Sequence, residues 1–263
     1  MISKGILAFA QGQSFLKLAL YQLVQLRKIS DIDVAYIVDE NAEACPEYQQ
    51  LLDLGATLIV ANSPTQSRNY DLSAEWKNLG RDKALKLSPW DKTLLVDVDY
   101  IIQSTASLDL LDADLPLVCA AWHHCFDQEF ILDHATIGRH AIKMLWATLV
   151  WFDKGPDSQQ MFDRWSEVLK HLKWRKEYYG FHSSLVRNDY ALSIAVHELG
   201  QESSKHIAEA PYSQMAIPPW CTYTVDDDGL TVLSTTADKP LQILNLSGLD
   251  FHALNKNNLL EVL

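Results

Sequence analysis

Asp97 and Asp99 interrupt the run Thr93–Ile102 (TLLVDVDYII), which is otherwise Leu, Val, Tyr and Ile. Turn residues flank it, Ser88-Pro89 before and Gln103-Ser104 after, so it reads as a buried strand of a parallel sheet. A buried carboxylate is costly unless something pairs with it. Two at i and i+2 of a regular strand also project to one side and repel each other. A divalent cation relieves both penalties: Mg²⁺ and Mn²⁺ take one or two carboxylates and complete their shells with water and phosphate oxygens. The expectation is a metal–phosphate site at the carboxyl end of a central strand, where open α/β sheets bind ligands. The competing reading is a pair of solvated loop carboxylates, and the apolar residues on both sides argue for the sheet. Side chains salt-bridged to a protein base, or pointing into bulk water far from any cleft, would leave this metal–phosphate site, and any activity inferred from it, without foundation.

The elements that would position this pair follow from the pattern of apolar residues. Gly5–Ala10 (GILAFA) reads as a first strand and Gln11-Gly12-Gln13 as a polar turn, with Ser14 as cap of the next helix. In that helix Phe15, Ala19 and Leu23 form one stripe, with Leu16, Leu20 and Val24 beside it. Ile32–Val38 is a second strand ending at Asp39, which either bonds a base or ribose or caps the segment after it. Strand–helix–strand is how nucleotide-binding α/β domains begin, but the turn lacks G-x-G-x-x-G, which argues against a dinucleotide fold. Pro46–Leu54 reads as a helix and Thr57–Val60 as strand three. Tyr70–Leu87 carries Trp76, Lys77, Asn78, Arg81, Lys83 and Lys86; Arg81 and Lys83 would lie close to a phosphate held by the acidic strand, or belong to a solvated helix face.

Further on, Leu117–Trp122 and Leu145–Phe152 read as strands. His123-His124-Cys125 lacks the spaced second ligand pair of a closed zinc site and is expected as polar loop facing an acceptor. Asp157–Lys173 is an amphipathic helix with Met161, Trp165, Val168 and Leu172 inward. Arg187–Tyr190 opens a helix, Ala191–Leu199, where Asp189 suits the positive end of the dipole. Leu230–Leu233 and Leu241–Leu246 form a late hairpin. In the tail, neutral His252 is a competent third ligand for Mn²⁺, and Lys256 can neutralise a diphosphate.

The 263 residues, 48% hydrophobic and 21% charged, suit one large domain with a substantial core. The net charge of −12 disfavours nucleic-acid backbones and anionic membranes as partners. Neither a signal peptide nor an apolar run of about 20 residues is visible, so a cytoplasmic protein is expected. Cys45, Cys119, Cys125 and Cys221 form no C-x-x-C and read as buried free thiols.

Together, the N-terminal strand–helix–strand, the segment Trp76–Tyr100 (WKNLGRDKALKLSPWDKTLLVDVDY) and a late His followed by Lys resemble the GT-A fold glycosyltransferases. The likeness is to the family 8-like, glycogenin- and galactosyltransferase-type group, and to small transferases of that type encoded by bacteriophages. It implies a single α/β domain over 1–263 with a Rossmann-like, mostly parallel central sheet flanked by helices. Residues 1–103 would be the nucleotide-binding half, and 104–263 the sugar and acceptor half ending in a metal and phosphate tail. The resemblance implies Asp97, Asp99 and His252 as ligands of Mn²⁺ (or Mg²⁺), with Asp97 also near the ribose. It implies Ala10, Gln11, Asp39, Asn78, Arg81, Val98 and Lys256 around the nucleotide and diphosphate. Trp122, His123, Thr148 and His182 would face sugar or acceptor, and Asp189 would be the catalytic carboxylate. The tail departs from the family pattern His-x-x-Gly-x-x-Lys-Pro-Trp, and Trp146–Val150 lacks its Asn-x-Gly.

The activity implied is retaining, hexosyltransferase-type transfer from a nucleotide diphosphate sugar, UDP-sugar first, to a glycan, protein, lipid head group or modified nucleobase. The alternatives are a nucleotide-sugar-binding module without turnover and a sugar nucleotidyltransferase. The latter needs a Gly-rich basic loop after strand one, and Gln11-Gly12-Gln13 does not supply it.

Overall fold

The computed structural model describes residues 2–61, 66–67, 75–76, 80–112, 117–120, 123–125, 136–181, 187–200, 207–210, 214–226, 229–234 and 241–263; in 66–67, 75–76, 117–120, 123–125, 207–209 and 226 only the backbone is described. The first half runs β1 (Lys4–Phe9), α1 (Gln13–Arg27), β2 (Asp33–Val38), α2 (Pro46–Asp53), β3 (Thr57–Val60), the small ladder β4 (Gln66–Ser67) with β5 (Glu75–Trp76), α3 (Ala84–Leu87), β6 (Lys92–Val96) and β7 (Tyr100–Ile101). The second half runs β8 (Leu117–Ala120), β9 (His123–Cys125), the ladder β10 (Thr136–Ile137) with β11 (Ile142–Lys143), β12 (Trp146–Asp153), α4 (Pro156–Lys170), α5 (Leu172–Tyr179), α6 (Asn188–Glu198), β13 (Ile207–Glu209) and β14 (Gln214–Ile217). It closes with the meander β15 (Thr222–Asp226), β16 (Gly229–Ser234), β17 (Gln242–Asn245), then β18 (Phe251–Ala253) and α7 (Lys256–Val262).

Seven strands form a mixed, mostly parallel central sheet in the order β13-β8-β12-β6-β1-β2-β3, with β12 antiparallel to both neighbours. Strands β1, β2, β6 and β12 are apolar on both faces because both faces are covered. Ile6, Ala8, Val34, Tyr36, Leu94 and Val96 pack on the side of α1 and α2, where Leu16, Ala19, Leu23 and Leu51 meet them. Leu7, Phe9, Ala35, Ile37 and Leu95 pack on the other side, against Met161 and Trp165 of α4 and Leu192 and Ile194 of α6. A second sheet, β7-β18-β14-β9, lies at the carboxyl end of β6 and receives the chain directly from it.

Several boundaries differ from expectation. β6 stops at Val96, and Asp97–Asp99 is a turn closed by the Tyr100 amide donating to the Asp97 carbonyl at 3.0 Å. The apolar run therefore spans two strands of different sheets, and the two carboxylates sit between them. Ser14 does not cap α1: the cap is Gly12, at φ 98°, a backbone conformation that favours glycine. The long helix expected at 157–173 breaks at His171 into α4 and α5. His123–Cys125 is strand β9 and not loop. Trp146 and Trp151 are both core residues.

Gly5 in β1 is hemmed in by register with Asp33 on one side and Thr93 on the other. A Cβ there would stand 2.3 to 2.6 Å from three atoms of the buried Trp90 ring. Gly5→Ala is therefore expected to destabilise the protein by about 1–3 kcal/mol through overpacking, read as a lower urea midpoint. An unchanged midpoint would mean that Trp90 can swing aside.

Candidate active site

The strand order reverses beside β1: the chain passes β1 to β2 to β3 on one side, then returns to place β6 on the other. That makes the carboxyl ends of β1 and β6 the topological switch point of the sheet, the position where open α/β sheets receive ligands. Ala10 and Gln11 leave β1 there, and Asp97 leaves β6.

The acidic turn is held from β12 and from α1. The Asp97 amide donates to the Thr148 carbonyl at 2.9 Å. Gln22, buried on α1, donates through Nε2 to the carbonyls of Asp97 (3.0 Å) and Tyr100 (2.6 Å), while the Tyr36 hydroxyl lies 3.1 Å from its Oε1. β12 is irregular between Trp146 and Val150 where it pairs with β8. In this stretch the carbonyls of Ala147 and Thr148 receive donors from the site, in keeping with the role of bulges beside functional sites.

Asp99 is buried, and Asp97 is partly open to solvent. His252, on β18, brings Nε2 to 3.4 Å from Asp99 Oδ2 and 4.0 Å from Asp97 Oδ2. One ligand atom each from Asp97, Asp99 and His252 lie within 4.8 Å of one another, the only such cluster among the described residues. The His252 ring is backed by Thr148, whose Oγ1 lies 3.5 Å from Nδ1. β18 is itself anchored by Asp250: its Oδ1 accepts from the amides of Gln103 and Ser104, each at 2.7 Å, and its Oδ2 from the Ser107 hydroxyl at 2.8 Å.

Both carboxylates already have protein cations beside them. Arg81, almost wholly buried, donates to Asp97 Oδ1 at 2.5 Å, to the Val96 carbonyl at 3.2 Å and to the Ala147 carbonyl. Lys256, the first residue of α7, places Nζ 2.7 Å from Asp99 Oδ2. The expectation that only a cation makes this pair tolerable is therefore overturned, because Arg81 and Lys256 compensate it. Arg81 is not on a solvated helix face either, although Lys83 and Lys86 are exposed. Burial works against ionisation of Asp99, yet the Lys256 ammonium and His252 outweigh it and hold the carboxyl well below the usual range. Burial likewise opposes the Lys256 charge, and Asp99 and Asp97 raise its pKa in spite of that.

A group held below its unfolded value, near 3.9 for Asp, contributes stability above that pH and loses it as pH falls. Urea midpoints of wild type and Asp99→Asn are thus expected to converge as pH drops below about 4. Parallel curves would show that the Asp99–Lys256 pair carries no linkage.

Asp189 sits in the first turn of α6 with both oxygens engaged. Oδ1 accepts from the Ala147 amide at 2.9 Å and Oδ2 from Arg187 at 2.9 and 3.2 Å. Ala147 thus connects Asp189 on its amide side with Arg81 on its carbonyl side. Gln11 is buried, its Nε2 bonded to the Ala61 carbonyl and its Oε1 without a partner among the described residues. The Ala10 amide donates to Ile37 at 2.8 Å, and the Asp39 carboxylate accepts from the Asn41 amide at 3.1 Å, a local turn bond. The Val98 side chain packs into the core. Asn78, Trp122 and His182 lie outside the described residues, and of His123 only the backbone in β9 is described. Nothing in the sequence marks Asp250 as part of the site. Gln22 had one signal, a polar residue on the inward stripe between Ala19 and Leu23.

No family model matches the sequence, and no curated protein matches it. Among solved structures the chain is similar to the glycosyltransferase GlyE of Streptococcus pneumoniae TIGR4, at 12% identity over 80% of this chain and 46% of that one, TM-score 0.44. It is also similar to the galactosyltransferase LgtC in complex with donor and acceptor sugar analogues (14% identity, 78% and 72% covered, TM-score 0.47). A third is glucosyl-3-phosphoglycerate synthase of Mycobacterium tuberculosis with Mn²⁺, UDP and glucosyl-3-phosphoglycerate (9% identity, 79% and 69% covered, TM-score 0.40). The chain spans less than half the length of GlyE.

Proposed function

We propose that the protein is a nucleotide-sugar transferase of the GT-A type, which binds the diphosphate of its donor at the turn after β6. The observation that supports this is convergence. Asp97 and Asp99 from one turn and His252 from the second sheet, about 150 residues later in the chain, bring oxygen, oxygen and nitrogen ligands within 4.8 Å at the switch point of the sheet. Two carboxylates and one imidazole, with Asp97 partly open to solvent, suit Mn²⁺ or Mg²⁺ with phosphate oxygens and water completing the shell. Such an ion, when bound, neutralises the charge that builds on a leaving diphosphate.

The chain's own groups divide the remaining work. Arg81 fixes the Asp97 carboxylate and ties the turn to β12. Thr148 orients His252 through Nδ1. Lys256 is the cation within reach of a phosphate. Asp189, whose oxygens hold the Ala147 amide and the Arg187 guanidinium, positions β12. UDP-sugar is the first donor to try, with retention of configuration; the acceptor half would be built from residues 104–263.

A second reading is favoured by the two ion pairs. Because Arg81 and Lys256 already pair with the charges of the carboxylates, the cluster would also suit a module that binds a nucleotide sugar without turnover. Calorimetry of UDP with and without Mn²⁺, followed by release of free sugar from UDP-glucose and UDP-galactose, separates them. Mn²⁺-enhanced binding with sugar release supports the transferase, enhanced binding alone supports the module, and no Mn²⁺ effect removes both.

A further inference from the structure

Asp97 and Asp99 face Arg81 and Lys256, so two anionic groups meet two cationic ones. A divalent ion added to this set by itself would leave a double positive charge in a mostly buried cluster, where repulsion is weakly screened. The conflict has an atomic location. Lys256 Nζ and His252 Nε2 stand 2.7 and 3.4 Å from the same oxygen, Oδ2 of Asp99. An ion held by Asp99 and His252 and the ammonium of Lys256 therefore compete for one place. A diphosphate resolves the competition, since it supplies the negative charge the ion lacks and offers the ammonium a new partner. Lys256 is placed to make that move. It opens α7, its side chain is 35% exposed, and its Nζ lies 5.6 Å from the ring centroid of Phe15 on α1.

Resting on the reading of the site given above, we propose that Lys256 is a built-in counter-cation that excludes the divalent ion until donor arrives. It then passes from Asp99 to the diphosphate, so that metal and nucleotide bind as a pair. Lys256 is in this sense a positioning residue that sets the order of binding.

Electron paramagnetic resonance of free Mn²⁺, with and without UDP, tests this. Wild type is expected to bind Mn²⁺ weakly alone and about tenfold tighter or more with UDP, a coupling of ordinary size between two ligands. Lys256→Gln is expected to bind Mn²⁺ alone about tenfold tighter than wild type, with the UDP enhancement shrinking towards one. Lys256→Arg keeps the cation and the wild-type pattern. Unchanged or weaker affinity for Mn²⁺ alone in Lys256→Gln, with coupling intact in wild type, overturns the inference and leaves the site reading standing. Wild type that binds no Mn²⁺ even with UDP overturns the site reading itself. Should the Gln variant not fold, the Nζ signal of Lys256 in wild type serves: it is expected to shift with Mg²⁺ and UDP together and not with Mg²⁺ alone. A signal unmoved by the pair overturns the inference.

Discussion

Asp99→Asn is expected to abolish Mn²⁺-enhanced UDP binding and to lower donor hydrolysis by about 10²–10³, the usual loss when one group that stabilises developing charge is removed. Asp99 is the shared point of the site, contacted by both His252 and Lys256 through one oxygen. An amide there keeps the shape but loses the charge that holds an ion, and it leaves Lys256 without its counter-ion. Asp97→Asn is expected to act in the same direction. Far-ultraviolet circular dichroism should stay unchanged in both, since neither side chain is part of the sheet ladder. Full hydrolytic activity in either variant would remove the metal site from the account.

Arg81→Ala has the largest expected effect on stability, about 3–5 kcal/mol, because removing one partner of a buried pair leaves the other uncompensated. Arg81 also holds the carbonyls of Val96 and Ala147, which would lose their donor. Asp97 is partly solvated and can recover some hydration, which favours the lower end of that range. Arg81→Lys is expected to rescue little, since a single ammonium does not reproduce a planar fork reaching three acceptors. Urea denaturation measures both; a loss under about 1 kcal/mol in the Ala variant would show that the buried contacts are not stabilising.

The central strands were legible for a simple reason. β1, β2, β6 and β12 are covered on both faces, so each reads as an unbroken apolar run whatever surrounds it. The same property hid the turn at Asp97–Asp99. Val98, Tyr100 and Ile101 are as buried as Leu94 and Val96, but they belong to a turn and to another sheet, and apolar character alone cannot mark that change. The second sheet is built from short strands joined across long stretches of chain, as when Ala216 pairs His252 and Gln214 pairs His123. No local pattern announces such pairings, so His123–Cys125 read as loop.

For the site, Asp97 and Asp99 could be named because carboxylates are uncommon in an apolar run, and His252 and Lys256 because a late His followed by Lys completes the likeness that the acidic pair begins. The structure brings these four together with Arg81. Their compensation could not be read in advance. Arg81 lies in a segment rich in charge, where a solvated face is the ordinary outcome, and only the approach of β6 and β12 turns it inward. Asp189 had the composition of a catalytic acid and the position of a cap, and the structure gives it a third part, tying α6 to Ala147.

The most direct test is anomalous diffraction from crystals of the wild-type protein soaked with Mn²⁺ and UDP. The account predicts one peak within about 2.0–2.6 Å of carboxylate oxygens of Asp97 and Asp99 and of a ring nitrogen of His252, with the diphosphate beside it and Lys256 withdrawn from Asp99. A peak elsewhere, or UDP bound with Asp97 and Asp99 still held only by Arg81 and Lys256, would contradict it.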